Sequence, residues 1–157
     1  MIDKNQPKAI TVEYSKIVEL LETQCGVCAA YNPEFEQNIN PTIRNFNALW
    51  DTGANFSIIS TNVVQTLNLK SDGIATILHA DGESIVKTYL VKIILPNDIG
   101  AYILDVAEGS LTSTDVLIGM DIISKGDFCV TTSQGITKFS FQIPSTHDTD
   151  YTKEIND

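Results

Sequence analysis

The sequence has little positive charge and no long apolar run, and both shortages exclude classes of function. Its 157 residues include 10 Lys and Arg against 20 Asp and Glu, which gives a formal net charge of -10. A surface of this charge repels phosphate backbones, so a nucleic-acid partner is not expected. No apolar run approaches the roughly 20 residues that a membrane-spanning helix needs, so we expect no membrane partner.

Cysteine is also scarce, and the three that occur do not form a disulfide framework. They are Cys25, Cys28 and Cys129, an odd number. The first two have the spacing of half a zinc site or of a redox pair, but no second such pair exists, and His79 and His147 are remote in sequence. Reduced, partly buried cysteines are the favoured interpretation, with zinc or redox chemistry as the alternative. No metal or cofactor is expected.

The length predicts one domain with short additions at both ends. We assign residues 1–41 to an N-terminal extension, 42–144 to the domain and 145–157 to a polar C-terminal tail. Residues 1–7 are polar and lack the apolar core of a secretion signal, which predicts a cytoplasmic protein.

The extension has an ambiguous hydrophobic pattern. Ile10, Val12 and Tyr14 alternate as in a half-buried strand, whereas Ile10, Tyr14, Ile17 and Leu21 fit one face of a helix. We favour strands because the remainder of the chain is strand-rich.

The pattern from residue 43 onward is that of many short strands separated by turns. One short helix is predicted after Ser60, a good N-cap residue. Asp81-Gly82 is a strong hairpin signal between two strand-like stretches, 74–78 and 85–95. The predicted strands cover residues 43–50, 57–59, 74–78, 85–95, 101–106 and 116–118, with two more around Phe128 and Phe139. The whole predicts an all-β, small barrel-like fold.

Two junctions in this pattern stand out. A strand runs into Asp51-Thr52-Gly53-Ala54, and a second apolar run, 116–118, ends at Gly119. Asp-Thr-Gly alone is a weak signal, because at average residue usage a given tripeptide occurs by chance in roughly a few per cent of chains of this length. With the later apolar-apolar-Gly junction and the hairpin between them, however, residues 46–143 resemble the retropepsin family of aspartic peptidases.

The resemblance implies a fold and a site. The two junctions would cross in a ψ-shaped loop that sets Asp51 beside Gly119 at the base of a cleft, with the hairpin as a flap above. It implies catalytic roles for Asp51, Thr52 and Gly53. The substrate-binding residues that it implies are Ala54, Asn55, Ala80, Asp81, Gly82 and Gly119.

It also implies a reaction and an assembly. Aspartic peptidases activate water with two adjacent carboxylates that share one proton. The chain has one Asp-Thr-Gly, so Asp51 must meet Asp51 of a second copy. We therefore expect an aspartic endopeptidase that acts on peptide or protein substrates as a homodimer.

Two positions depart from the retroviral pattern. Asn55 stands where those enzymes usually carry Asp, and Met120 stands where they usually carry Arg, so both halves of an ion pair near the subunit boundary are missing. The alternative is therefore a catalytically weak, dimeric binding or assembly module. Away from the site, we expect Trp50 to pack in the core, Asp121 to cap a helical turn and Asp115 to be a solvated charge.

Overall fold

The computed structural model describes residues 6–31, 41–79 and 82–155. In this part of the chain the strands are β1 Lys8–Glu13, β2 Glu22–Ala29, β3 Arg44–Trp50, β4 Ile58–Ser60, β5 Gly73–His79, β6 Gly82–Ile94, β7 Ala101–Gly109, β8 Val116–Ile118, β9 Asp127–Thr131 and β10 Lys138–Ile143. The helices are α1 Thr61–Thr66, α2 Met120–Ile123 and α3 Tyr151–Glu154. The predicted all-β class is confirmed.

Seven strands form the larger sheet, in the order β2-β3-β8-β4-β7-β6-β5. β2 also pairs with the second half of β6, so the sheet closes on itself into a small barrel and only β5 lies outside the ring. Side chains that point into the ring are apolar and buried, among them Val27, Ile59, Val91, Val106 and Val116. Closure removes most of the unpaired strand edges.

The smaller sheet has three strands in the order β1-β10-β9, and its inner face is aromatic. Phe139 and Phe141 alternate on β10 and are fully buried. Their ring centroids lie 5.1 Å and 4.9 Å from that of Trp50, and Phe128 on β9 lies 6.3 Å from it. Trp50 is therefore a packing residue, as predicted, and its cluster joins the small sheet to the end of β3.

The N-terminal segment is built of strands, which confirms the favoured of the two interpretations. β1 pairs with β10, and β2 pairs with both β3 and β6. The alternative helical pattern is not realised, because these partner strands have edges with which β1 and β2 pair, and tertiary pairing overrides a weak local preference.

No described helix is long and apolar enough to cross a membrane.

β5 and β6 form a hairpin that projects from the barrel. Residues 82–88 of β6 pair with β5, and from Thr88 onward β6 pairs with β7. The Thr88 hydroxyl donates to Asp72, and the Asp72 amide donates back to the Thr88 carbonyl, which ties the root of the hairpin together. Ile74, Leu78 and Ile85 on the hairpin are about three-quarters exposed.

Candidate active site

The predicted ψ-shaped crossing is present. β3 and β8 run parallel with Trp50 opposite Ile118, and β4 lies antiparallel on the other side of β8. The amide of Asp51 donates to the carbonyl of Ile118 at 3.0 Å. Asp51 therefore leaves β3 at the point where β8 also ends, so the two junctions found in the sequence meet in space.

The turn after β3 orients the Asp51 carboxylate. The Gly53 amide donates to Asp51 Oδ1 at 2.8 Å, and the Ala54 amide donates to the Asp51 carbonyl at 3.2 Å. Asp51 is partly buried, whereas Thr52 and Gly53 are exposed. The hydrogen bond from Gly53 holds the Asp51 carboxylate in one orientation within the turn.

Gly119 lies against the same turn, and only glycine fits there. A Cβ added to Gly119 would lie 2.7 Å from the Phe56 carbonyl group and 3.0 Å from the Ala54 carbonyl oxygen. The next residue, Met120, donates its amide to the Ala54 carbonyl at 2.8 Å. The predicted juxtaposition of the Asp51 loop and Gly119 is therefore present.

A partly buried polar network, which the sequence did not reveal, joins the two loops. Asp121 accepts the Ser57 amide at 2.9 Å and the Ser57 hydroxyl at 2.7 Å, and Ser57 Oγ accepts the Gly119 amide at 3.1 Å. Ser57 is fully buried. The prediction that Asp121 caps its helical turn is wrong, because Gly119 is the N-cap of α2 and Asp121 lies inside the helix. Its carboxylate reaches across to Ser57 instead.

The two departures from the retroviral pattern lie on the same loops. Asn55 is exposed, and the side chain of Met120 packs against the core. No charge is left unpaired by either residue, and Ser57 and Asp121 provide a side-chain link between the loops that carry them. The expectation that Asp115 is a solvated charge is also wrong, because its carboxylate accepts hydrogen bonds from the Ser60 hydroxyl and from the side-chain amide of Asn62.

A cleft of about 380 Å³ opens beside the Asp51 turn. Asp51 and Thr52 border it, together with Leu20 and Leu21 from the segment before β2 and two residues of β9. The full lining is Glu19, Leu20, Leu21, Leu49, Trp50, Asp51, Thr52, Phe128 and Val130. The cleft thus offers apolar side chains and two carboxylates, those of Glu19 and Asp51, to a molecule that enters it.

Part of the predicted flap lies outside the described residues, namely Ala80 and Asp81. On either side of them, His79 on β5 pairs with Gly82 on β6. Gly82 has a φ of 130°, a conformation that L side chains rarely adopt. The hairpin itself is thus confirmed, and the substrate-binding roles of its tip, of Ala54 and of Asn55 stay predictions.

The Cys25-x-x-Cys28 spacing does not form a ligand pair. Both residues lie within β2, where an odd separation directs side chains to opposite faces of the sheet. Burial raises the pKa of the Cys25 thiol to about 12 and also raises that of Cys28. Within the described residues, no three His, Cys, Asp or Glu side chains are grouped so as to hold a metal ion.

The comparisons with known proteins agree with this geometry. The family model described as "gag-polyprotein putative aspartyl protease" matches residues 37–125. A retropepsin-like aspartic protease from Rickettsia conorii is similar in structure, with a TM-score of 0.52 and 14% identity over 88% of this chain and 96% of the other. EIAV protease, solved with the inhibitor HBY-793, has a TM-score of 0.50 and 18% identity over 72% and 92% of the two chains. No curated protein sequence matches.

The fold is thus that of the retropepsin-like aspartic proteases. The chain belongs to the family of gag-polyprotein aspartyl proteases, since the match spans more than half of its length and includes both loops of the site.

Proposed function

We propose that the protein is an aspartic endopeptidase that hydrolyses peptide bonds with water held between Asp51 and Asp51 of a second copy. The observation that carries the proposal is the placement of Asp51. Its carboxylate is partly buried at the strand crossing, is oriented by the Gly53 amide and borders an open cleft. The Gly53 hydrogen bond alone is an ordinary feature of turns; the position of Asp51 at the crossing of β3 and β8, beside the cleft, is what favours a catalytic role.

The chemistry follows from two carboxylates at close range. Like charges about 3 Å apart cannot both ionise, so the pair shares one proton and titrates as a unit. The ionised member takes a proton from water as the water attacks the peptide carbonyl carbon. The protonated member donates to the carbonyl oxygen, and a proton is later delivered to the leaving amine. A peptide in extended form would pair with the β5–β6 hairpin.

The test is cleavage of a mixed peptide library across pH and protein concentration by the wild type and Asp51→Asn. Asp105→Asn is a matched control, since Asp105 is an exposed carboxylate on β7. We expect cleavage that increases more steeply than linearly with dilute enzyme, that is abolished in Asp51→Asn and that is retained in Asp105→Asn. Equal cleavage by the wild type and Asp51→Asn would contradict the proposal.

A second candidate is a dimeric binding or assembly module, and the pair Asn55 and Met120 favours it. Neither residue can form the ion pair that retroviral enzymes use in these positions. A binding module would keep its peptide partner and its cellular role after Asp51→Asn, whereas the peptidase would lose its role.

A cytoplasmic location stays a prediction, which fractionation of cells that express the protein would check.

A further inference from the structure

The loop between β1 and β2, residues 14–21, brings three side chains to the cleft beside Asp51. They are Glu19, Leu20 and Leu21. The family model matches residues 37–125, so the loop lies outside the matched segment. What the loop adds to the site is therefore a property of this chain that the family match does not describe.

Hydrogen bonds hold the loop near both of its ends. The Tyr14 amide donates to the Thr137 carbonyl at 2.9 Å, and the Val18 amide donates to the Thr137 hydroxyl oxygen at 3.0 Å. Thr137 is buried. At the other end, the Tyr14 hydroxyl accepts from the Glu22 amide at 2.9 Å and donates to the Glu22 carbonyl at 3.1 Å. A loop that is held at several points presents its side chains in a defined position.

The loop is also joined to the strand that leads into Asp51. The Trp50 amide donates to the Leu21 carbonyl at 2.9 Å, and the Trp50 indole nitrogen donates to the Thr23 hydroxyl at 2.9 Å. Glu19 thus lies on a segment that is bonded to the residue before Asp51, and both carboxylates line the same cleft.

The cleft combines apolar walls with a carboxylate that lacks a cationic partner. Six of the lining residues, Leu20, Leu21, Leu49, Trp50, Phe128 and Val130, are apolar, and the described residues that line the cleft include no Lys, Arg or His. Glu19 is exposed, and no ion pair among the described residues includes it. A Lys or Arg side chain has an apolar stem and a charged head, so it matches both features of the cleft.

We propose that Glu19 selects peptide substrates that carry an Arg or Lys side chain close to the cleaved bond. The stem of that side chain packs against the apolar walls, and its cationic head pairs with the Glu19 carboxylate. Asp51 is the poorer partner for the cation, because it accepts the Gly53 amide and is the carboxylate that the proposed reaction uses. The net charge of -10 also attracts cationic peptides to the protein.

This inference rests on the proposed function, because a side chain next to Asp51 selects substrates only if Asp51 takes part in their hydrolysis. Its test must therefore compare substrates with one another instead of measuring activity alone. It must also include a measurement that does not require cleavage.

The first measurement is kcat/KM for paired peptides in which Arg is replaced by citrulline, an uncharged analogue of nearly the same shape. The replacement is made at each position that flanks the cleaved bond in turn. At one position, the wild type should favour Arg over citrulline by at least about fivefold. The preference should decrease between about 0.05 M and 1 M NaCl, since salt screens a pair at the rim of a cleft.

Matched variants assign the preference to Glu19. Glu19→Gln keeps the size of the side chain and should abolish the preference for Arg. Glu22→Gln is the control, because the Glu22 side chain is exposed and does not line the cleft, and it should keep the preference. If Glu19→Gln lowers the cleavage of both peptides by the same factor, Glu19 supports the fold or the assembly, and its role in selection is overturned.

Binding to Asp51→Asn separates this inference from the proposed function. The same peptides are titrated into Asp51→Asn with and without Glu19→Gln, and we expect weaker binding of the Arg peptide, but not of the citrulline peptide, when Glu19 is replaced. A preference that depends on Glu19 in a protein that never cleaves peptides would support the subsite and contradict the peptidase. Cleavage that depends on Asp51 but shows no preference dependent on Glu19 would support the peptidase and contradict the subsite. The absence of such a preference in both assays would overturn the inference as well.

Discussion

Asp121 holds Ser57 through both of its carboxylate oxygens, at 2.9 Å from the Ser57 amide and 2.7 Å from its hydroxyl. Ser57 in turn accepts the amide of Gly119. One carboxylate on α2 thereby joins the loop after Asp51 to the end of β8. A backbone hydrogen bond from the Met120 amide to the Ala54 carbonyl also links these two segments.

Asp121→Ala should lower both stability and cleavage. It leaves the buried Ser57 donors without an acceptor, which costs about 1–3 kcal/mol per group. Urea denaturation should show a free energy of unfolding that is lower by about 2 kcal/mol or more. Asp121→Asn, which keeps one acceptor oxygen, should lose less. Asp105→Ala is the control and should change the free energy of unfolding by less than about 0.5 kcal/mol; a similar loss there would contradict the role of Asp121.

Gly119→Ala should be strongly destabilising, because its Cβ would lie 2.7 Å from the Phe56 carbonyl group, which belongs to the backbone. Overpacking of this kind costs about 1–3 kcal/mol. Gly73→Ala is a comparison, since its Cβ would meet only the Thr88 hydroxyl, at 2.9 Å. Thermal unfolding should show a larger decrease in Tm for Gly119→Ala than for Gly73→Ala. The reverse order would show that Gly119 and the loop after Asp51 are free to separate.

The three thiols should differ in reactivity. Burial raises the pKa of Cys25 to about 12 and raises that of Cys28, so both remain protonated thiols at a pH of about 8. Only the thiolate reacts with iodoacetamide. Mass spectrometry should find modification of Cys129 alone in the folded protein and of all three cysteines in urea. Rapid native modification of Cys25 or Cys28 would revive the redox interpretation.

Asp127 should hold the chain after β10 in a pH-dependent way. Its carboxylate accepts from the Ser145 hydroxyl and from the amides of Thr146 and His147, and these bonds hold the pKa of Asp127 well below its usual range. A lowered folded-state pKa contributes stability above the unfolded pKa of about 4, and that stability is lost as pH falls through the folded value.

The measurement is hydrogen-exchange protection of the Thr146 and His147 amides. Asp127→Asn should remove most of that protection at neutral pH, whereas Asp148→Asn, a change of an exposed carboxylate next to this contact, should not. In the wild type, protection should persist to pH values well below about 4. Loss of protection already at the ordinary carboxyl pKa of about 4 would contradict the role of the Asp127 hydrogen bonds.

Local patterns determined much of this protein. The strand that ends at Asp51 and the run that ends at Gly119 are visible in the sequence because alternation and turn residues act over a few positions. The same holds for the β5–β6 hairpin and for the Ser60 cap of α1, whose side chain accepts the Val63 amide. These features were sufficient to predict the fold class, and the family resemblance that they carry implied that Asp51 lies beside Gly119.

Tertiary structure alone decided the contacts between distant segments. Ser57 and Asp121 are 64 positions apart, and nothing local distinguishes a carboxylate that caps its own helix from one that reaches another loop. The pairing of β1 with β10 and of β2 with the barrel, and the free edge of β9 within the described strands, likewise depend on which edges remain open after the other strands pair. Hydrogen-bond partners and strand edges are properties of the assembled sheets, and no short stretch of residues encodes them.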